Sequence, residues 1–285
     1  MKTTTGKITG IWQSLITPFD EQKKIDLASA ERYIKMLEQH DFKGYLIGGS
    51  VGEGMLLTDS ELAEYIKLVR KISSKPIMMC VAAFNFLQIE KRLELDYDYI
   101  CATPCIYFKP HAKATIEYFK MLATHAHGPV VLYNNPSRVG CAITDHIYDE
   151  LAGVENIVGM KECDDIQFEK LSNKYVHWQW LTGNDDYMCN PFFINNYNSA
   201  GVITTLGNIA PDIILNLWKH LRDQNERQVY IEKWADMCRK AYSIPNPQAV
   251  KIVLAKWGVI KPYFRAQFDP LPEFSYFDAF AKLAI

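Results

Sequence analysis

The chain predicts an α/β fold, a TIM (β/α)8 barrel with a C-terminal helical appendage, and three observations carry the prediction. Eight short apolar runs alternate with amphipathic stretches as far as residue 204, no linker or low-complexity segment interrupts them, and helical patterns then continue without another strand. Strands separated by helices pair in parallel through right-handed crossovers, and the closed solution for eight of them is a barrel. The length of 285 residues suits one such barrel with an addition, since barrels of this kind run to about 250 residues. The expected division is residues 1–206 for the barrel and 207–285 for a helical layer packed on it.

The elements follow in order. Strands are expected over 11–16 and 44–47. The clearest helix runs from Asp59 into Lys71, where Thr58 and Glu61 form a capping box that satisfies free amides at its start. A third strand is expected over 76–82. Only 17 residues lie between Asn85 and Thr103, so the third helix must be short if a fourth strand is to fit over 97–102. Further strands are expected over 129–133, 157–161, 178–182 and 201–204, followed by helices over 211–222, 226–242 and 247–256.

Bulk properties exclude several functions. Thirty-one basic against 33 acidic residues give a net charge of −2 with no basic stripe, which argues against nucleic acid as a partner. The apolar runs fall far short of the roughly 18 to 20 residues that cross a bilayer, and Met1-Lys2-Thr3-Thr4-Thr5-Gly6 lacks the apolar core of a signal peptide. A cytoplasmic location is therefore expected. The seven cysteines, at 80, 101, 105, 141, 163, 189 and 238, contain no Cys-x-x-Cys pair, and several sit in apolar runs as small hydrophobes. The seven histidines show no metal-ligand spacing, so no catalytic metal or other cofactor is expected.

The chemistry concentrates at strand ends, where such barrels carry their active sites. Gly159-Met160-Lys161-Glu162 closes an apolar run and places a lysine at its carboxyl end. Apolar surroundings disfavour an ammonium, so the expected pKa is depressed and a nucleophilic amine becomes available to a ketone or aldehyde. Val130-Val131-Leu132-Tyr133 ends in a phenol, and the loop Asn134-Asn135-Pro136-Ser137-Arg138-Val139-Gly140 carries a cation. Taken alone, Lys161 reads equally as a strand-end lysine reaching solvent, Tyr133 as a core aromatic and Arg138 as a surface turn residue.

These segments, Tyr-Asn-x-Pro-Ser-Arg-x-Gly and Gly-x-Lys-Glu, resemble the dihydrodipicolinate synthase and N-acetylneuraminate lyase family of pyruvate-dependent Schiff-base aldolases and lyases. The resemblance extends through Leu15-Ile16-Thr17-Pro18-Phe19-Asp20, Gly49-Ser50-Val51-Gly52-Glu53, Thr182-Gly183-Asn184-Asp185, Gly201-Val202-Ile203, Asn246-Pro247 and Val250-Lys251. It implies that Lys161 forms an iminium with pyruvate and that Tyr133 moves protons. By the same resemblance Ser50 links Tyr133 to a third hydroxyl, Tyr107, which reaches across a subunit interface; otherwise Ser50 is a turn residue and Tyr107 interface packing. Val51 offers its amide to the pyruvate carboxylate, Gly201 and Ile203 approach the keto acid through backbone groups, and a homotetramer is implied.

Arg138 marks the synthase branch, in which a guanidinium fork holds the carboxylate of a second substrate. The leading expectation is therefore a synthase condensing pyruvate with aspartate semialdehyde in lysine biosynthesis. A sibling lyase or dehydratase acting on a sugar acid or a hydroxyproline-derived keto acid is the second reading, and a silent metabolite sensor the third. Three departures from the family pattern bear on the choice. Val51 stands where a threonine is usual, Cys163-Asp164-Asp165 replaces small residues and a glycine, and the short third helix differs from relatives with a lysine-feedback site. The two aspartates are expected to favour the ammonium form of Lys161.

Overall fold

A computed structural model describes residues 7–82 and 86–268. Its strands are β1 (Gly10–Ser14), β2 (Gly44–Ile47), β3 (Ile77–Val81), β4 (Tyr99–Ala102), β5 (Val130–Asn134), β6 (Ile157–Glu162), β7 (Gln179–Thr182) and β8 (Ser199–Thr204), joined in sequence order as a closed parallel barrel. The helices are α1 (Leu27–Leu37), α2 (Asp59–Ile72), α3 (Phe86–Leu93), α4 (Ala112–His125), α5 (Pro136–Val139), α6 (Asp145–Leu151), α7 (Asp165–Ser172), α8 (Pro191–Asn195), α9 (Pro211–His220), α10 (Arg227–Ala241) and α11 (Gln248–Lys256). The (β/α)8 barrel with C-terminal helices is thus the observed architecture. The end of the expected C-terminal layer, from residue 269, lies outside the described residues.

Local chemistry sets the element ends. Thr58 Oγ1 accepts from the Glu61 amide at 3.2 Å while Glu61 Oε2 accepts from the Thr58 amide at 2.9 Å, completing the expected capping box of α2. The third helix is short, with eight residues in α3. β4 begins at Tyr99, two residues later than the apolar run suggests, because Tyr97 and Asp98 have other roles. The Asp98 carboxylate accepts from the Ile77 amide at 2.8 Å, and Tyr97 stacks on His127 with ring centroids 3.8 Å apart.

The chain forms two compact units. One comprises, among the described residues, 7–10, 76–82 and 86–203. Its core includes the fully buried Trp180, Phe168 and Phe193, and the Phe168 ring meets Trp180 edge-on at 5.8 Å. A side chain at Gly201 in β8 would overlap the carbonyl of Gly10, so this strand crossing requires a glycine. The other unit comprises Ile11–Lys75 and, among the described residues, 204–268. There Tyr65 donates to the Ile16 carbonyl at 2.6 Å, and Tyr33 donates to the Asn208 side chain.

Candidate active site

Lys161 and Tyr133 are direct register partners on β6 and β5, as are Glu162 and Asn134 one residue on. Because side chains alternate along a strand, the first pair shares one face of the sheet and the second pair the other. Lys161 is 5% exposed and Tyr133 4%. The Lys161 amine lies 4.0 Å from the centre of the Tyr133 ring, a close cation–π distance. Gly183, at the end of β7, makes room for them. A Cβ there would lie 3.0 Å from Lys161 Cε and closer still to Cys163 Sγ.

The opposite face holds the strand ends in place. Glu162 Oε1 accepts from Asn134 Nδ2 and from the Asp164 amide, both at 2.8 Å, and Oε2 accepts from the Tyr148 hydroxyl at 2.7 Å. Burial pushes the Glu162 carboxyl up to about 7 against the opposite pull of these donors. Asn134 Oδ1 in turn accepts from the Ile143 amide at 3.0 Å. Sequence reasoning did not single out Asn134 or Glu162, although each directly follows a candidate residue inside an apolar run.

The charge state of Lys161 corrects the sequence expectation. Burial is the largest influence and opposes the ammonium, while the acidic groups Tyr133, Cys163, Cys101 and Cys80 pull the other way and leave the pKa above the ordinary lysine value. Its surroundings are acidic groups, not purely apolar ones. Burial also raises the Tyr133 phenol, which Lys161 attracts in the other direction, and pushes the Cys163 thiol up to about 11. The two aspartates beyond Cys163 also bond locally. Asp164 caps α7 by accepting from the Ile166 and Gln167 amides at 3.1 and 3.2 Å, and Asp165 accepts from Asn184 Nδ2 at 2.9 Å.

Arg138 is exposed on the single turn α5, and among the described residues it has no carboxylate partner. Its field reaches the Cys163 thiol, which it draws toward ionisation. Asn135, at the base of the same turn, donates to the Tyr133 hydroxyl at 3.3 Å and accepts from Ser137 Oγ at 2.8 Å. Gly201 and Ile203 lie in β8, where Ile203 is 1% exposed. Tyr107 is not brought to Tyr133 within this chain; it lies on the surface, 78% exposed, with its ring edge-on to Phe108 at 5.2 Å.

Ser50 and Val51 belong to the other unit, in the turn that follows β2. Ser50 is half-buried and Val51 fully buried. The turn is closed by bonds from the Gly52 amide to the Gly49 carbonyl and from the Glu53 amide to the Ser50 carbonyl, each 3.1 Å. Glu53 then enters the left-handed region at φ 52°, a conformation that costs a non-glycine residue about 1 kcal/mol or more. Its carboxylate anchors the turn by accepting from Lys251 Nζ at 2.6 Å and from the Arg265 and Ala266 amides at 2.8 and 2.7 Å.

Elsewhere, a cavity of about 340 Å³ touches Tyr99, Ile157 and Gln179, at the amino ends of the strands and so opposite the end that carries Lys161. Among the described residues, one group has ligand atoms near enough to share a cation, His220, Asp223 and Glu226, and there His220 already pairs with Glu226. No helix among the described residues is long and apolar enough to cross a membrane.

Comparison with known proteins bears on the family and the fold. The 4-hydroxy-tetrahydrodipicolinate synthase of Methanococcoides burtonii is 26% identical over 272 residues, covering 92% of each chain. The corresponding synthase 2 of Clostridium acetobutylicum is 29% identical over 271 residues, covering 89% of this chain and 91% of its own. Among solved structures, the chloride-inhibited dihydrodipicolinate synthase of Acinetobacter baumannii, complexed with pyruvate, superposes with a TM-score of 0.88 at 22% identity over 97% of this chain and 98% of that one. The synthase of Methylacidiphilum fumariolicum gives the same score and identity over 97% and 96%. The model of the dihydrodipicolinate synthetase family matches residues 7–279, and with that span, the barrel and the strand-end lysine together, the chain belongs to this family.

Proposed function

We propose that the chain is a Schiff-base enzyme that activates pyruvate on Lys161 and condenses it with aspartate semialdehyde, a 4-hydroxy-tetrahydrodipicolinate synthase activity in lysine biosynthesis. The observation that carries this reading is the register pair of Lys161 and Tyr133, amine over phenol at 4.0 Å on adjacent strand ends. Loss of one proton frees the lysine lone pair to attack the keto carbon. The carbinolamine then loses water as Tyr133 protonates the departing hydroxyl. The resulting iminium withdraws electrons from the methyl group, which gives up a proton to form a nucleophilic enamine. The amides of the Ser50-Val51 turn and the backbone at Gly201 and Ile203 hold the keto acid, and the Arg138 fork takes the carboxylate of the aldehyde. Tyr107 acts from a neighbouring subunit of a homotetramer, in the cytoplasm.

A second reading has specific support. Val51 lacks the hydroxyl that the family pattern supplies, and Cys163 fills space beside Lys161. Both fit a sibling aldolase or dehydratase for a sugar acid or a hydroxyproline-derived keto acid. One experiment separates the two readings. Borohydride reduction in the presence of pyruvate should leave the added mass on the Lys161 peptide, and an aldehyde panel should show turnover with aspartate semialdehyde. Adduct without that turnover transfers the assignment to the sibling activity, whereas no adduct on Lys161 removes Schiff-base chemistry altogether.

A further inference from the structure

The C-terminal helices carry the one group of three metal-ligating side chains among the described residues. His220 is the last residue of α9, and Asp223 and Glu226 follow it at intervals of three in the link to α10. One ligand atom from each, an imidazole nitrogen and two carboxylate oxygens, lies within 4.8 Å of the other two. The centre of such a triangle is no more than about 2.8 Å from any corner, so bonds of about 2.0 to 2.2 Å to an ion need only a small inward movement of the side chains. Asp223 and Glu226 are exposed and free to make it.

Three further observations favour an ion over a chance grouping. The His220 ring stacks on Tyr230 of α10, with centroids 5.3 Å apart and planes at 18°, so its orientation is set before any ion arrives. Its Nδ1 meets Glu226 Oε2, which places that nitrogen toward the carboxylates. Among the described residues neither carboxylate has a lysine or arginine partner; Asp223 Oδ1 accepts only from the Asn225 amide, at 2.9 Å.

We propose that His220, Asp223 and Glu226 form a binding site for one divalent transition-metal ion, Zn²⁺ being the best match, which ties the end of α9 to the start of α10. The inference is independent of the Schiff-base reading. An imidazole with two carboxylates suits Zn²⁺, whereas Ca²⁺ and Mg²⁺ take oxygen ligands throughout. Zn²⁺ takes the place of a proton at Nδ1 and gains Asp223 as well as Glu226, so binding converts the existing pair into a three-residue clamp. Water completes the tetrahedron.

The test uses the full chain without a histidine tag, stripped by a chelator and titrated with Zn²⁺ and with Ca²⁺. We expect one Zn²⁺ bound per chain at this site, a higher urea unfolding midpoint in its presence, and far weaker Ca²⁺ binding. Cysteines elsewhere also attract Zn²⁺, so Co²⁺ serves as a spectroscopic probe; visible absorption without the intense near-ultraviolet band of a thiolate is the expected signature. His220→Ala, Asp223→Asn and Glu226→Gln should each weaken Zn²⁺ by at least about tenfold, since even the outer partners of a metal site are worth 10- to 100-fold. Each should also remove the ion's effect on the urea midpoint while leaving the metal-free midpoint near that of the wild type. Wild-type Zn²⁺ affinity in all three variants, a thiolate spectrum with Co²⁺, or equal binding of Ca²⁺ overturns the proposal and leaves His220 and Glu226 a surface pair.

Discussion

Two buried lysines, one in each compact unit, meet different fates. Lys251 on α11 is fully buried, 2.6 Å from Glu53 Oε1, with its amine 4.5 and 4.9 Å from the ring centres of Phe19 and Phe264. Burial lowers its pKa to about 8 although Glu53 pulls upward. Lys161 also lies over an aromatic ring, but its neighbours are a phenol and thiols, and among the described residues it has no carboxylate partner. A carboxylate 2.6 Å away ties the Lys251 amine into the scaffold. Groups that exchange protons leave an amine able to change its charge and its bonding. Burial is common to both, so the partner is what distinguishes the two lysines.

The largest effect should come from removing the reactive amine. Lys161→Met should abolish borohydride-trapped adduct, whereas Lys251→Met should retain it wherever the variant folds; adduct persisting without Lys161 breaks the contrast at once. The charge state can be read in the same assay. Because the Lys161 pKa lies above the ordinary value, wild-type adduct formation should rise with pH from about 6 to 9 without levelling off, and a plateau inside that range would restore a depressed pKa.

Lys251→Met should then cost roughly 3 to 5 kcal/mol of stability, because it strands a buried carboxylate. Adding Glu53→Gln should recover part of that loss in urea unfolding. If Lys251→Met unfolds at the wild-type midpoint, the pair is not the scaffold element inferred here.

Glu162 provides a gentler test of how the Lys161 strand is held. Its folded pKa of about 7 lies above the ordinary value of 4.5, so its proton-linked stability is fully present below 4.5 and is lost as pH rises through 7. Relative to Glu162→Gln, the wild type should lose on the order of 3 kcal/mol across that window. Parallel unfolding curves at pH 5 and 8 with an unchanged difference would refute the raised pKa.

Smallest is the expected loss for Arg138→Ala. It should leave adduct formation nearly intact and reduce kcat/KM for aspartate semialdehyde by about tenfold or more, the worth of a charge-assisted contact. Arg138→Lys should recover only part. Equal turnover of Arg138→Ala and wild type would make the arginine a surface turn residue.

The comparison also explains what the sequence made legible. Strand and helix positions were readable because hydrophobic period and capping chemistry are local, and Thr58 with Glu61 is the clearest case. Lys161 and Tyr133 were readable because each ends an apolar run. The charge of Lys161 was not, because Cys80 and Cys101 reach it from β3 and β4, and no spacing along the chain records that meeting. Asp164 has a local task that its position announces, since an aspartate just before a helix is a capping group and here it accepts from the Ile166 and Gln167 amides. The clasp between Glu53 and Lys251 joins two short motifs whose partnership only the folded chain reveals.

That clasp also orders events during synthesis. The Glu53 carboxylate leaves the ribosome early, but its partners are Lys251 and the amides of Arg265 and Ala266, more than 190 positions later. A nascent chain halted after β8 would hold every barrel strand while the Glu53 carboxylate still lacked these donors. The Arg265 guanidinium reinforces the closure by bonding both oxygens of Glu61 at 2.7 Å and the Lys23 carbonyl at 2.6 Å. Arrival of this late segment is therefore what locks the turn carrying Ser50 and Val51, so a ribosome that stops short of Arg265 releases a barrel with an unfinished rim.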